Sequence, residues 1–376
     1  MTRSDPRPVL HCVADWGLPS ERFVVDLVRT TALTRPAVAC GRRHDEVANT
    51  AIPVSALLPY VGRLPYRFRR RAIRELLTGL ALRRRSRLLH AHFGYWAAHT
   101  AAVARRLHLP WVLSLHGYDL LVMHARDPEA DHVRGADLVI VPSRFLADAA
   151  VSRGFPADRI HIVPSGIDVD GYPFRPRELR ADGAVRVTFA GRFVAKKGVL
   201  DAAEAMAAAA PTTNLVCRFV GYGPLETELR TALGRLELPA TVIDGRAPGA
   251  VRMTLDDTDV LVAPSKTAAD GDAESLGLVA IEAQACGIPV VTTTNGGIPE
   301  AVSADGAVLV PEGDLAALTT ALVTVASAPD RWAAMGVAGS DHARRRFRLS
   351  DRVRDIEELY LQLLETSARG SPQRNP

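Results

Sequence analysis

Ten short runs of apolar and β-branched residues, at 9–14, 87–91, 111–115, 138–141, 161–163, 185–190, 215–220, 260–263, 289–292 and 307–310, constrain this chain more than any other feature. Most are continuously hydrophobic rather than alternating, and helical patterns lie between them. A strand that is apolar at consecutive positions is covered on both faces, and strands separated by helices pair in parallel. The class is therefore α/β, with doubly covered parallel sheets. At roughly 150 residues per domain, the length of 376 residues calls for two domains. An internal echo agrees: Asp137-Leu-Val-Ile-Val-Pro-Ser143 recurs as Asp259-Val-Leu-Val-Ala-Pro-Ser265, the same strand-then-helix element once in each half. Residues 168–183, with Gly171, Pro173, Pro176 and Gly183, lack periodicity and read as a linker. The expected organisation is an N-terminal Rossmann-like domain over 1–170, a linker over 171–183 and a C-terminal Rossmann-like domain over 184–348. A helix over 349–366 follows, whose Val353, Ile356, Leu359, Tyr360 and Leu363 form one apolar face, and then a tail over 367–376 expected to be disordered.

No apolar run approaches the roughly 18 residues of a membrane span. The first 16 residues lack a secretory h-region, and Cys12, Cys40, Cys217 and Cys286 are isolated, so a cytoplasmic protein with reduced, buried thiols is expected. The charge is uneven. Residues 1–175 hold 25 basic and 16 acidic side chains, against 21 and 26 beyond, which gives the N-terminal half an affinity for acidic partners or surfaces. Its densest segment runs from Arg67 through Arg87, with Ile73, Leu76, Leu77, Leu80 and Leu82 interleaved. It reads either as a basic amphipathic element for the inner face of an anionic membrane or as a solvated core helix in an Arg-biased protein. No aromatic-interleaved module accompanies the charge, which argues against nucleic acid. Only three of the 46 basic residues are lysines, and two of them, Lys196 and Lys197, are adjacent, which marks a place where a compact ammonium is needed.

Two motifs carry chemistry. In Glu274-Ser-Leu-Gly-Leu-Val-Ala-Ile-Glu282 a helix is expected to start at 275–277, with Gly287 as its C-cap. Glu274 then stands before the helix and Glu282 two turns along it, about 12 Å apart, the reach from the sugar to the ribose of a nucleotide sugar. Free amides at Leu276, Gly277 and Leu278 would suit a diphosphate. Gly191-Arg192-Phe-Val-Ala-Lys196-Lys197-Gly198 follows the 185–190 strand directly. Ligands of open α/β sheets bind beyond the carboxyl ends of strands, which puts Arg192 and Lys197 at a binding edge. Either pair taken alone could equally be a helix start and exposed charges.

Together these motifs resemble those of glycosyltransferase family 4, retaining nucleotide-sugar transferases of the GT-B fold. Other stretches are similar to that family: Val163-Pro-Ser-Gly-Ile-Asp168, Val220-Gly221-Tyr222-Gly-Pro224, Gly296-Gly-Ile-Pro-Glu300 and Ser114-Leu-His116-Gly-Tyr-Asp119. The loop Pro19-Ser20-Glu-Arg-Phe23 resembles an exopolysaccharide-type variant of the loop that elsewhere touches the donor phosphates. The resemblance implies two Rossmann-like domains facing across a cleft, with the C-terminal helix crossing back to the first. It further implies Arg192 and Lys197 on the donor diphosphate, Glu282 on the ribose, Glu274 on the sugar hydroxyls and His116 beside the reacting carbon. Gly221 and Tyr222 read as a base-side loop, and Ser20, His92 and Asp119 as acceptor-side candidates.

The expected activity is retaining transfer of a sugar from a nucleoside-diphosphate sugar to a glycan, glycolipid or small-molecule acceptor, with no cofactor and no metal. A nucleotide-sugar epimerase of the same architecture, or a non-catalytic sensor, is the alternative. Asp168-Val-Asp170 and Asp257-Thr-Asp259 match a metal-binding pattern, but their context is a linker turn and a strand start. Gly221-Tyr-Gly223 is half a dinucleotide fingerprint without its third glycine. His90 and His92 share a strand face and, without a third ligand, read as packing, with His92 near enough the strand end to line an acceptor site.

Overall fold

The computed structural model describes residues 7–44, 51–62, 64–123, 133–247 and 249–370. Arg63, the extreme N-terminus and most of the expected tail, 371–376, lie outside the described residues. The chain forms two compact units, one made of residues 1–166 and 349–376 and the other of 167–348.

The first unit is built on a seven-stranded parallel sheet ordered β3-β2-β1-β4-β5-β6-β7, with β1 at Arg7–Trp16, β2 at Thr34–Arg43, β3 at Val54–Ala56, β4 at Leu88–His92, β5 at Trp111–Ser114, β6 at Leu138–Val141 and β7 at Ile160–Ile162. Its strands read as apolar on consecutive positions because both faces are covered. Leu10, Cys12, Leu89 and Leu113 pack under the helices Tyr66–Arg83 and Gly94–Leu107 through Ile73, Leu77 and Ala101. Val9, Leu88 and Val112, on the other face, meet Ile356, Tyr360 and Leu364 of the helix Leu349–Gly370. That helix therefore belongs to the first unit and runs past the expected end at 366. Its Glu357 is 1% exposed and accepts backbone N–H groups from Ala32, Leu33 and Thr34 at 2.8–3.1 Å and the Thr34 hydroxyl at 2.6 Å.

The second unit holds a six-stranded parallel sheet ordered β10-β9-β8-β11-β12-β13: β8 is Val185–Ala190, β9 Leu215–Gly221, β10 Ala240–Asp244, β11 Val260–Ala263, β12 Val290–Thr293 and β13 Ala307–Val310. The sequence echo has a structural reason. Asp137 and Asp259 each open a strand and clamp its neighbour, the carboxylates accepting N–H from Trp111 (2.9 Å) and Arg186 (2.8 Å) while their own N–H groups bond the carbonyls of the same residues. The serines that close the two repeats diverge, since Ser143 caps the helix Arg144–Ser152 and Ser265 enters a loop.

Residues 171–183, expected as a linker, are packed onto the second unit. Arg177 is 5% exposed and donates to the carbonyls of Leu255, Asp256 and Cys286, the Pro- and Gly-rich stretch having traded regular structure for these long-range bonds. Ile167 and Arg348 form a bridge within that unit, so it begins at 167 rather than after the expected linker. Among the described residues, no helix is long and apolar enough to cross a membrane.

Candidate active site

Strand order in the second sheet reverses between β8 and β11, the point at which open parallel sheets bind ligands beyond their carboxyl ends. β8 runs directly into the loop 191–198. Gly198 there has φ +64°, and a Cβ would fall 2.0 Å from the Pro264 carbonyl oxygen, so this tight approach requires glycine. The two lysines of the loop have different tasks. Lys196, 8% exposed, bonds the Asp272 carboxylate at 3.0 Å and the Ala273 carbonyl at 3.4 Å, which ties the loop to the segment before Glu274. Lys197 pairs with the Glu274 carboxylate. Burial would raise the Glu274 pKa, but the charges of Lys197, Lys196 and Arg192 outweigh it and hold the group at about 2. Glu274 is thus a permanent carboxylate at any physiological pH.

The backbone of Glu274 is fixed with equal care. Its N–H donates to Asn295 Oδ1 at 2.8 Å and its carbonyl accepts from Gly297 N–H at 2.9 Å, while Gly296 (φ +53°) lies so close that a Cβ would be 2.0 Å from that same carbonyl oxygen. Lys197, Glu274, Gly277, Ser265, Val279 and Thr292 line a small cavity at the ends of β8, β11 and β12.

The helix expected from 275–277 begins at Leu278, because Gly277 takes φ +84° and ends the loop instead of starting the helix. Its orphan amides therefore start at Leu278, and Leu276 is a core side chain at 3% exposure. Glu282, half-buried, stands one turn into the helix Leu278–Ala285, and the interval from Glu274 is part loop rather than two turns of helix. Arg192 is exposed. Gly221 packs against the same loop, a Cβ there falling 1.9 Å from the Gly191 carbonyl oxygen, and the Arg246 guanidinium stands 5.9 Å from the centre of the Tyr222 ring. Arg192, Gly221, Tyr222 and Glu282 belong to the same edge of the unit without lining the cavity itself. The Asp-x-Asp carboxylates are taken by arginines: Asp257 by Arg180 and Arg218, Asp170 by Arg348 at 2.7 Å.

The first sheet reverses between β1 and β4. Asp119, 2% exposed, accepts N–H groups from Gly94, His116 and Gly117 at 2.9–3.0 Å. Burial raises its pKa against these bonds. As an acceptor-side candidate it is therefore committed to holding its own loop. The ring of His116 sits 4.8 Å from Phe23 and 4.5 Å from Phe93, and burial lowers its pKa to about 3, so it is neutral. Phe93 has φ +67°, a strained backbone for a bulky residue. Ser20 is exposed in the turn Pro19–Glu21.

His92 does not line a surface site. It is fully buried, its Nε2 3.0 Å from Nδ1 of His11, while His90 bonds the Ser114 hydroxyl at 2.8 Å and the Tyr360 hydroxyl at 2.5 Å. Burial lowers all three histidine pKa values, so the network is neutral. The sequence pattern shows two histidines on one strand. The third, His11, lies directly opposite His90 in the β1–β4 register and is invisible until the strands are paired. One nitrogen from each of the three lies within 4.8 Å of the others, a spacing that could hold a metal ion, but the ring nitrogens are largely bonded to one another and to hydroxyls. Sequence reasoning also missed Glu21, Tyr95 and Asn295, although Glu21 stands in the 19–23 loop that the resemblance singles out.

This fold is GT-B, the two-sheet architecture of one large class of glycosyltransferases. The solved structure of Anabaena Alr3699/HepE in complex with UDP-glucose superposes on it with a TM-score of 0.77 at 21% identity, covering 94% of this chain and 99% of that one. Residues 20–170 match the model of Glycosyltransferase Family 4 and residues 184–328 that of Glycosyl transferases group 1. A protein of Escherichia coli (strain K12) named as a putative colanic acid biosynthesis glycosyltransferase, WcaL, is 36% identical over 244 residues, which span 62% of this chain and 59% of the relative. The GDP-mannose-dependent alpha-(1-6)-phosphatidylinositol monomannoside mannosyltransferase of Mycolicibacterium smegmatis is 31% identical over 276 residues, 69% of this chain and 70% of that protein. The chain belongs to glycosyltransferase family 4.

Proposed function

We propose that this protein is a retaining glycosyltransferase that moves a sugar from a nucleoside-diphosphate sugar to an acceptor hydroxyl without a metal ion. The observation that carries the reading is the Lys197–Glu274 pair at the switch point of the second sheet, with a cavity beside it and the Leu278 helix N-terminus beyond. Lys197 and Arg192 meet the diphosphate, and Glu274 meets the sugar hydroxyls. Glu282 meets the ribose. In the transfer step the bond from the anomeric carbon to the phosphate oxygen breaks, the acceptor oxygen bonds that carbon on the same face, and the acceptor proton passes to the leaving phosphate oxygen. The cations then stabilise charge that develops on the diphosphate. The UDP-glucose complex of the Anabaena protein and the GDP-mannose dependence of the Mycolicibacterium smegmatis relative support this donor class.

The test incubates the protein with isotopically labelled nucleoside-diphosphate sugars, host extract and EDTA, and reads products by mass spectrometry. A glycosylated product that forms in EDTA with the anomeric configuration of the donor is expected. Isomerised nucleotide sugar made without extract would favour the epimerase, and activity restored only by magnesium or manganese would remove the assignment of charge stabilisation to Lys197 and Arg192.

We also propose that the basic helix Tyr66–Arg83 contacts an anionic membrane. Its Ile73, Leu77 and Leu80 are spent in the core, but Phe68 and Leu82 remain 50% and 61% exposed on the same helix as its arginines. At about 1 kcal/mol per basic residue near an anionic surface, exchanging Arg69, Arg70 and Arg71 for Glu should weaken sedimentation with phosphatidylglycerol vesicles at least tenfold at low salt. Equal sedimentation of the wild type with neutral vesicles would rule out a charge-driven contact.

A further inference from the structure

The carboxyl edge of the first sheet holds a group that the proposed mechanism leaves unused. Glu21 lies in the turn after β1, and its Oε1 accepts the Tyr95 hydroxyl at 3.2 Å from the helix that follows β4. β1 and β4 flank the point where this sheet reverses, so the pair occupies the position at which such sheets bind ligands. Aromatic rings surround it. Tyr95 and Phe93 are parallel, 5.3 Å apart and 10° inclined, and Phe23 packs edge-on to Phe93 at 6.2 Å. Phe23, Phe93 and Tyr95 are all partly exposed, and Phe93 keeps its ring in this group with a left-handed backbone. A flat apolar ring face next to a hydrogen-bonding carboxylate is the arrangement that suits a pyranose, whose C–H groups pack on the ring while its hydroxyls reach the polar group.

We propose that Glu21, Tyr95 and Phe93 form a binding subsite for an uncharged sugar unit of the acceptor, with the Glu21 carboxylate accepting from its hydroxyls. This deepens the transferase reading and rests on it. Neighbouring charge argues against a phosphorylated acceptor at this spot. Asp15 and Asp119 both act electrostatically on Glu21, and Arg42 and His44 are engaged with the Asp15 carboxylate at 3.1 and 2.9 Å. Burial, then Asp15 and Asp119, push the Glu21 pKa up to about 7 against the Tyr95 hydrogen bond and His44. The carboxylate is thus protonated below neutrality and ionised above it, and sugar binding should strengthen as pH rises.

The experiment titrates the whole protein with a panel of methyl glycopyranosides and with glucose 1-phosphate, by ligand-observed NMR at pH 6 and pH 8. Nucleoside diphosphate affinity is measured in parallel. At least one methyl glycoside should bind about tenfold more tightly at pH 8, following the ionised fraction of a group titrating near 7. Glu21→Gln should abolish that pH dependence and weaken binding at pH 8 by about tenfold, and Tyr95→Phe should shift the midpoint of the pH dependence, both with nucleotide affinity unchanged. The proposal is overturned if no glycoside binds, if binding is indifferent to pH or to Glu21→Gln, or if glucose 1-phosphate binds better than every uncharged glycoside. Loss of nucleotide binding by the wild type would count against the transferase reading and not against this subsite.

Discussion

Replacing Lys197 by alanine is expected to lower kcat/KM for the nucleotide sugar by on the order of a thousandfold. In the proposed reaction the ammonium meets charge already on the diphosphate and more that develops as the glycosidic bond breaks, and loss of one preorganised donor to such charge costs roughly 10²–10³ in kcat alone. Lys196 cannot substitute, because Asp272 holds it. The neighbouring variants should separate by role. Glu274→Gln should lower kcat about a hundredfold while nucleoside diphosphate binds as well as before or better, since Lys197 is then released from its carboxylate partner. Glu282→Ala should instead raise donor KM by one to two orders of magnitude, the loss of a charged hydrogen bond worth roughly 1.5–3 kcal/mol, with kcat nearly unchanged. The pair is insensitive to ordinary acidity: a carboxylate lowered from 4.5 to about 2 loses its proton-linked stabilisation as pH falls across that interval, so Glu274 cannot be the source of an acid limb near neutrality. Steady-state kinetics and calorimetry with nucleoside diphosphate test all three. Equal effects of the three substitutions on kcat and KM would refute the assignment of roles.

Glu357→Ala is expected to be the most destabilising of the single changes considered. It removes the acceptor, itself 1% exposed, for three backbone N–H groups and one hydroxyl at the entrance to β2, and leaves the buried N–H and hydroxyl of Thr34 without a partner. A buried donor left unsatisfied costs roughly 1–3 kcal/mol, which puts the loss for the two Thr34 donors and the weaker loss at residues 32 and 33 at about 3–5 kcal/mol. For a unit of this size that lowers Tm by about 8–15 °C. Gln at the same position keeps one acceptor oxygen but turns an amide NH₂ towards the donors, and should recover only part of the loss. Thermal unfolding measures both, and hydrogen exchange should show the extra opening at 32–34. A loss below about 1 kcal/mol would mean that water or a rearranged backbone takes over the donors.

The part of the fold that could be read from sequence was the part where burial is two-sided and side chains are large. Runs such as Leu138-Val-Ile-Val141 leave no other reading. β2 escaped because Pro36, Gly41 and three arginines interrupt it, and its buried centre, Ala37-Val-Ala-Cys40, is made of small residues with a weak hydrophobic signal. β10 escaped as a short, half-covered edge strand. The residues proposed for the donor side could be picked out as candidates because one loop and one helix start carry them. What could not be read were relations between elements: the division of labour between Lys196 and Lys197 needs Asp272 and Glu274 in place, and the histidine network needs the β1–β4 register. Gly277 was misjudged for a local reason, since nothing in its neighbours announces a left-handed φ.

The chain leaves its first unit at Gly166 and returns to it only at Leu349, after all of the second unit. In the order of synthesis, the earliest part of the protein is therefore the last to be completed. Until residues 349–370 emerge, Val9, Leu88, Val112 and Ile140 have no Ile356, Tyr360 or Leu364 to cover them, and the donors at 32–34 have no carboxylate. A nascent chain must carry that open apolar face through the folding of an entire second unit, an interval in which it is a target for chaperones and for misassociation with other unfinished copies.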